Sequence, residues 1–335
     1  MTDRAAPPPT LRIGATEGEV ADDFRNRVVA IGSFDGVHRG HRALLGEAIR
    51  AAEGLSTKPI ALTFEPHPRT VLQPEAPFFR LTPPAAKRVL LGLAGAEGIV
   101  EIQFDHALAA LSAEEFADRL LHQRLAIRGV VVGEGFRFGN RRTGDVALLE
   151  ELGGRFGFSV TVTSLANTDD GERASSGRVR SALAEGAIAE ANKVLGYRWF
   201  VTGTVTHGDG RGRELGYPTA NVGLTSPIGL SHGIYAVSAR TPGSPMRPGV
   251  ASYGVRPMFN GDTAVLEVHL FDFAGDLYGS DIAVFFHAKL RNEEKFPSMA
   301  ALIRQMDVDS ANAKIILAEA GGGTSIDQAL AIAMP

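Results

Sequence analysis

Short runs of β-branched and aliphatic residues recur through the first half of the chain, and five of them predict strands buried on both faces: Val28 to Ile31, Ile60 to Phe64, Ile99 to Phe104, Val130 to Val132 and Val160 to Thr163. Between them, apolar residues return every three or four positions in Ala43 to Ala52, Ala85 to Leu93, Ala113 to Arg124 and Val146 to Phe156, the period of amphipathic helices. Strand and helix in alternation imply a doubly wound parallel sheet whose ligands bind beyond the carboxyl ends of the strands. From about Trp199 the rhythm changes. Trp199 to Thr206, Gly233 to Ala239, Gly249 to Val255, Ala264 to Leu270 and Ile282 to Leu290 are short strands bounded by Gly and Pro, as in a small antiparallel sandwich or barrel. A helical stretch from Ser298 to Met306 and on through Leu317 is suited to cover an open face of it. A connecting helix is expected near Ala184 to Leu195, and Gly321 to Gly323 with the residues beyond them reads as a mobile end.

The length of 335 residues fits two modules, each with its own core. With 44% hydrophobic and 21% charged residues the composition is that of a globular protein, which excludes disordered and collagen-like classes. No apolar run approaches bilayer-spanning length, and the opening MTDRAAPPPTLRIG lacks the apolar centre of a signal peptide, so a cytoplasmic location is expected. The absence of cysteine removes disulfides, thiolate zinc, iron–sulfur clusters and a cysteine nucleophile, leaving oxygen or imidazole as ligands for any metal. A net charge of -4 gives no general attraction for nucleic acid or an anionic membrane, although Arg137, Arg141, Arg142 and Arg211, Arg213 can act locally on small anions. Self-association, if any, is expected to be weakly held.

Candidate chemistry gathers at the predicted strand ends. In VVAIGSFDGVHRGH, Val28 to His41, a buried strand runs through Gly32 and Gly36 straight into a helix, where backbone N–H groups and the positive helix end receive phosphate. His38 and His41 lie on one face of its first turn. Such a pair alone more often marks surface residues or part of a metal site, but no third ligand lies beside it. The stretch Thr63 to Leu72 puts His67, Pro68 and Arg69 on the same rim, unless it is only a Pro-stiffened loop. Val131 to Asp145 sets Phe136 and Phe138 among three arginines, suiting a flavin ring or base beside phosphate. Ser175, Ser176 and Arg180 sit at a helix start, as a cap or as polyphosphate ligands.

In the second half, Gly203 to Asn221 (GTVTHGDGRGRELGYPTAN) joins a strand to a glycine-rich, arginine-bearing loop that is not a Walker motif. Thr219 and Asn221, two apart in extended backbone, point their oxygens the same way and suit a hard cation such as Mg²⁺ held with ATP phosphates. Glu267 interrupts an otherwise apolar strand pattern with a carboxylate; most such glutamates are rim or paired acids.

These stretches, in this order, resemble the HxGH nucleotidyltransferases and specifically the bifunctional riboflavin kinase/FAD synthetases of bacteria. The resemblance implies an α/β plus all-β fold: a Rossmann-like nucleotidyltransferase domain over 21–186 and a six-stranded antiparallel β-barrel with a C-terminal helix over 187–320, flanked by a disordered or extended segment 1–20 and a tail 321–335. It implies conversion of riboflavin and ATP to FMN and ADP, then of FMN and ATP to FAD and pyrophosphate. By resemblance His38 and His41 act on the ATP phosphates, with Gly32, Phe34, Asp35 and Gly36 in the same loop and Ser175, Ser176 and Arg180 as a second phosphate motif. In the barrel, Gly208, Gly210, Arg211, Gly212 and Arg213 cover the ATP phosphates, Thr219 and Asn221 bind Mg²⁺, and Glu267 is the general base. His67, Pro68, Arg69, Phe136 and Phe138, and in the barrel Arg291 and Glu293, are the flavin-binding residues so implied. The sequence departs from the pattern at Ser33, Gly135, Gly177, Ser252 and Met258. Two other readings stay open: a riboflavin kinase with a degraded adenylyl module, and a flavin- or RNA-binding regulator using the barrel and the Phe-Arg loop.

Overall fold

The computed structural model describes residues 6–164, 168, 171–208, 212, 216–224, 228–241, 243–258 and 261–334. They fold as two compact units, Met1–Phe78 with Lys87–Ala174, and Phe79–Ala86 with Ser175–Pro335. In the first unit β1 (Thr10–Ile13), β2 (Val28–Ile31), β3 (Pro59–Glu65), β4 (Gly98–Gln103), β5 (Gly129–Gly133) and β6 (Ser159–Thr163) form, among the described residues, a six-stranded sheet. Its order is β1-β4-β3-β2-β5-β6 and every pairing is parallel. Val28, Val29 and Ala30 are wholly buried, so the central strand is covered on both faces, which is why it reads as an unbroken apolar run. The connections reverse direction between β2 and β5, and that is where the carboxyl ends of a doubly wound sheet open a crevice.

Two local features go beyond the sequence expectation. Within the segment expected to be disordered or extended, Thr10–Ile13 is extended, an edge strand in register with β4 from Thr10↔Ile99 to Ile13↔Ile102. Ile13 enters the core, and Arg12 donates from Nε to Glu101 at 2.9 Å, a carboxylate that Arg88 also binds at 2.7 Å. The expected single helix from Ala113 to Arg124 instead begins with the turn Ala113–Glu115, closed by a Ser112/Glu115 capping box. It continues through Phe116–Arg124 with a wider winding, in which the Leu125 N–H reaches the Leu120 carbonyl.

In the second unit β7 (Phe200–Thr206), β8 (Ala220–Gly223), β9 (Gly233–Arg240), β10 (Arg247–Met258), β11 (Gly261–Leu270) and β12 (Asp281–Arg291) close an antiparallel barrel in the order β10-β11-β8-β7-β12-β9. Ala220, Val222, Ala251, Tyr253, Leu266 and Val268 alternate along three adjacent strands and are all buried. The intervening positions carry Asn221, Ser252 and Glu267. The long helix Met299–Glu319 packs on the barrel through Ala313, Ile316 and Leu317 against Ala236, Val250 and Phe271. Arg291 locks it in place, donating from Nε to both oxygens of buried Asp309 at 3.0 Å and from Nη2 at 2.8 Å.

The residues expected as a mobile tail form another helix, Ser325–Ala333. Gly321 and Gly323 have φ of 59° and 81°, so the glycine triplet turns the chain from one helix to the next rather than releasing it. A Thr324/Asp327 capping box starts the new helix, Asp327 also accepts from the Arg198 N–H at 2.7 Å, and Leu330 is fully buried.

His287 on β12 shares a 2.9 Å hydrogen bond between Nε2 and the Ser238 hydroxyl. Burial, reinforced by the Arg198 charge and opposed by Asp327, lowers its pKa from 6.5 to about 4. The unfolded chain therefore takes up this proton near pH 6.5 and the native one only near pH 4, so the unfolded state binds more protons in that window. His287 is expected to make stability fall as pH drops from about 6.5 to about 4. Urea midpoints at pH 7 and pH 5 should differ less in His287→Gln than in the native protein; equal differences would show that this proton is not responsible.

Candidate active sites

The residues 32–38, after β2, form a tightly held loop at the sheet crevice. Its Gly32 N–H donates to the Leu62 carbonyl at 3.1 Å, and the Ser33 carbonyl accepts from the Thr63 hydroxyl at 3.2 Å. Gly36 has φ 87°, while Phe34 and Val37 take φ of 50° and 37°, conformations that cost a non-glycine residue about 1–3 kcal/mol. Burial holds them there: both are 0% exposed, and the Phe34 ring lies so close to Gly32 that a Cβ on the latter would meet it at 3.3 Å. The loop delivers the chain to His38, which caps the helix Arg39–Gly54 by accepting the His41 N–H on Nδ1 at 3.3 Å. That bond assigns the His38 proton to Nε2.

The His38 and His41 rings stack with centroids 3.7 Å apart, and Phe34 meets His41 edge-on at 5.2 Å. Gly40 permits this approach, since a Cβ there would come within 3.1 Å of both the His38 ring and the Ala174 carbonyl. Burial first, and then the charges of His38, Lys87 and Arg42, hold the His41 pKa well below its ordinary value. His41 is thus neutral at physiological pH, and its Nδ1 is buried without a hydrogen-bond partner among the described residues. With the His38 Nε2–H beside a neutral His41 ring at a positive helix end, the pair is suited to phosphate.

Beside the loop lies a cavity of about 860 Å³, lined by Gly32 and Ser33, by His67, Pro68 and Arg69, and by Phe136 and Phe138 with Arg137, Arg141 and Arg142. The structure therefore brings the first three sequence motifs together. Phe136 and Phe138 stack at 5.5 Å, and Arg69 lies 5.3 Å from the Phe78 ring centre. Phe64, Phe104 and Phe116, which the sequence reading had not singled out, complete an aromatic lining. Phe64 and Phe104 were legible in principle, as the last residues of two predicted strands at the ligand-binding edge. Such a volume with aromatic walls and a cationic rim fits a planar ring carrying a phosphate.

Ser175, Ser176 and Arg180 group with the second unit. Ser175 caps the helix Ser176–Glu185, accepting the Arg178 N–H at 3.2 Å, and Arg180 donates to the Phe79 and Ser176 carbonyls at 3.1 and 3.3 Å.

On the barrel, β8 and β11 place Asn221 directly opposite Glu267, and β10 places Ser252 opposite Glu267 on its other side, so the three side chains share one face. Gly208 and Gly212 lie against the proposed cation ligands: a Cβ on Gly208 would overlap the Asn221 amide, and one on Gly212 would sit 3.2 Å from the Thr219 hydroxyl. Gly254, two residues along from Ser252, has the Glu293 carboxylate packed over it, which brings Glu293 to the Glu267 face. Arg291 is committed to Asp309, as described above, with its guanidinium 5.5 Å from the Phe296 ring centre. Gly210, Arg211 and Arg213 lie outside the described residues.

The FAD synthetase family matches residues 20–178 and the riboflavin kinase family residues 195–317. The bifunctional riboflavin kinase/FMN adenylyltransferase of Escherichia coli (strain K12) is 40% identical over 287 residues, 86% of this chain and 91% of that protein. This chain belongs to the bifunctional riboflavin kinase/FMN adenylyltransferase family. The Pseudomonas fluorescens relative of the same description is 41% identical over 297 residues, 88% of this chain and 94% of that protein. Among solved structures, a Streptococcus pneumoniae chain described as a macrolide-efflux protein superposes with a TM-score of 0.82 at 29% identity, covering 91% of this chain and 98% of that one. Among the described residues no helix is long and apolar enough to cross a membrane.

Two departures from the family pattern fall where side chains would fit. Among the described residues, a Cβ on Gly135 would meet only the Arg173 guanidinium, at 3.9 Å, and one on Gly177 only the Ser175 hydroxyl, at 3.8 Å, so packing among these residues requires neither glycine.

Proposed function

We propose that this riboflavin kinase/FMN adenylyltransferase family member makes FAD from riboflavin in two ATP-dependent steps, each on its own unit. The observation that carries the reading is the presence of two separate phosphate-type sites with different chemistry: a stacked histidine pair at a helix start beside an aromatic cavity, and a strand carboxylate facing Asn221.

In the barrel, Glu267 removes the proton from the ribityl 5′-hydroxyl of riboflavin. That oxygen attacks the γ-phosphorus of ATP, the bond to the bridging oxygen breaks, and ADP leaves as FMN forms. Thr219 and Asn221 offer the hard neutral oxygens that suit Mg²⁺, which when bound neutralises phosphate charge. Among the described residues no cluster of three or more His, Asp or Glu would hold a metal, so its binding would lean on the nucleotide phosphates. Gly208 and Gly212 lie against these two residues, and Glu293 borders the flavin. At the parallel sheet, an FMN phosphate oxygen attacks the α-phosphorus of ATP in line and pyrophosphate leaves. No covalent enzyme intermediate is needed, since His38, His41 and the loop amides stabilise charge on the phosphate oxygens. His67, Arg69, Phe136 and Phe138 hold the flavin in the cavity.

A chromatographic time course from riboflavin with Mg²⁺-ATP tests this: FMN should appear first and FAD follow. Accumulation of FMN with no adenylylation of added FMN would leave only the kinase.

A further inference from the structure

Close to the histidine loop lies a buried cation to which the two steps above assign no role. Lys87 is 1% exposed, on the face of the helix Pro84–Leu93 that also buries Leu90 and Leu91. A lysine ammonium withdrawn from water is costly unless opposite charge and hydrogen bonds compensate it. Here the compensation points toward the loop. Nζ pairs with the Glu65 carboxylate at the end of β3 and donates to the Thr63 hydroxyl at 3.1 Å. Thr63 is 0% exposed, and its hydroxyl lies 3.2 Å from the Ser33 carbonyl.

The direction of this relay is set by the donor inventory. An ammonium can only donate, so the Thr63 oxygen accepts from Lys87 and its single proton is left for the Ser33 carbonyl. A trans peptide holds its C=O and N–H on opposite sides. Gripping the Ser33 carbonyl toward the buried Thr63 therefore turns the Phe34 N–H away from the interior, and Ser33 itself lines the cavity wall. Lys87 is also among the charges that hold His41 neutral.

We propose that Lys87 is a positioning residue for the adenylyl step: acting through Thr63, it holds the Ser33–Phe34 peptide so that the Phe34 N–H faces the ATP phosphates. The inference rests on the adenylyl reading of this site. It adds a buried support that a motif read along the loop does not contain.

The test compares Lys87→Met, which keeps length but removes charge, with Thr63→Val, which keeps shape but cuts the relay, and Thr63→Ser, which restores the hydroxyl. In FMN adenylylation, Lys87→Met and Thr63→Val should raise the KM for ATP about tenfold, the scale of one hydrogen bond to a charged group. The KM for FMN should stay within about twofold, Thr63→Ser should recover most of the loss, and riboflavin phosphorylation by the same preparations should be unchanged. An unchanged KM for ATP would overturn the proposal. So would Thr63→Ser matching Thr63→Val, or a parallel loss of both activities and of thermal midpoint, which marks a fold role alone. Calorimetric titration with α,β-methylene-ATP reads the loop without turnover: two binding steps are expected in the native protein, with one weakened in Lys87→Met and Thr63→Val. Should the native protein make no FAD, the adenylyl reading fails, while this titration still decides whether Lys87 supports nucleotide binding.

Discussion

Replacing His38 and His41 together by Ala stops FAD formation from supplied FMN and leaves phosphorylation of riboflavin at its native rate. Removing one preorganised donor to a transition-state oxygen typically costs about 10²–10³ in rate, so loss of both should reduce adenylylation by about 10³ or more. The two effects will not simply add, because the rings stack on one another and act as a unit. His38 also caps its helix, and losing a cap costs about 1 kcal/mol, which a rate comparison alone would confuse with catalysis. His38→Asn keeps an acceptor at the cap and separates the two contributions. Separate initial rates from riboflavin and from FMN are the measurement, and equal loss of both activities in folded protein would refute the division of labour.

Glu267→Gln should do the reverse. Gln fills the same space opposite Asn221 and Ser252 and lacks only the basicity, so riboflavin phosphorylation should fall by about 10²–10⁴, the usual contribution of a positioned base. Adenylylation of added FMN should continue unchanged. Native-rate phosphorylation in this variant would remove Glu267 from the base role.

The interior strands were legible in the sequence because β2 to β5 are buried along most of their length and read as β-branched and aliphatic runs, interrupted only by polar residues such as Thr63 and Glu101. Thr10–Ile13 was not, because an edge strand of four residues with one buried side chain looks like any extended segment. Ala220–Gly223 is equally short and carries no run of its own to mark it as a strand. The final helix was hidden by its glycine triplet, which signals a chain end as readily as a turn. Within the sites, the histidine loop announced itself because its chemistry is local: strand, glycines, cap and paired rings lie within fourteen consecutive residues, Val28 to His41. The facing of Glu267 and Asn221 depends on barrel register, and the burial of Lys87 on what packs over one helix face. Neither is written in a run of neighbouring residues. Arg291 shows the converse: the motif is plain in the sequence, but only the fold reveals its engagement with Asp309.

The short strand at the start of the first sheet has a practical side. It occupies the row of β4 amides and carbonyls from Ile99 to Ile102 that would otherwise face outward. Trimming the first thirteen residues as a dispensable leader would bare a hydrophobic template open to strand addition by another molecule. Those few residues act as a stopper against sticking as much as they add to the fold.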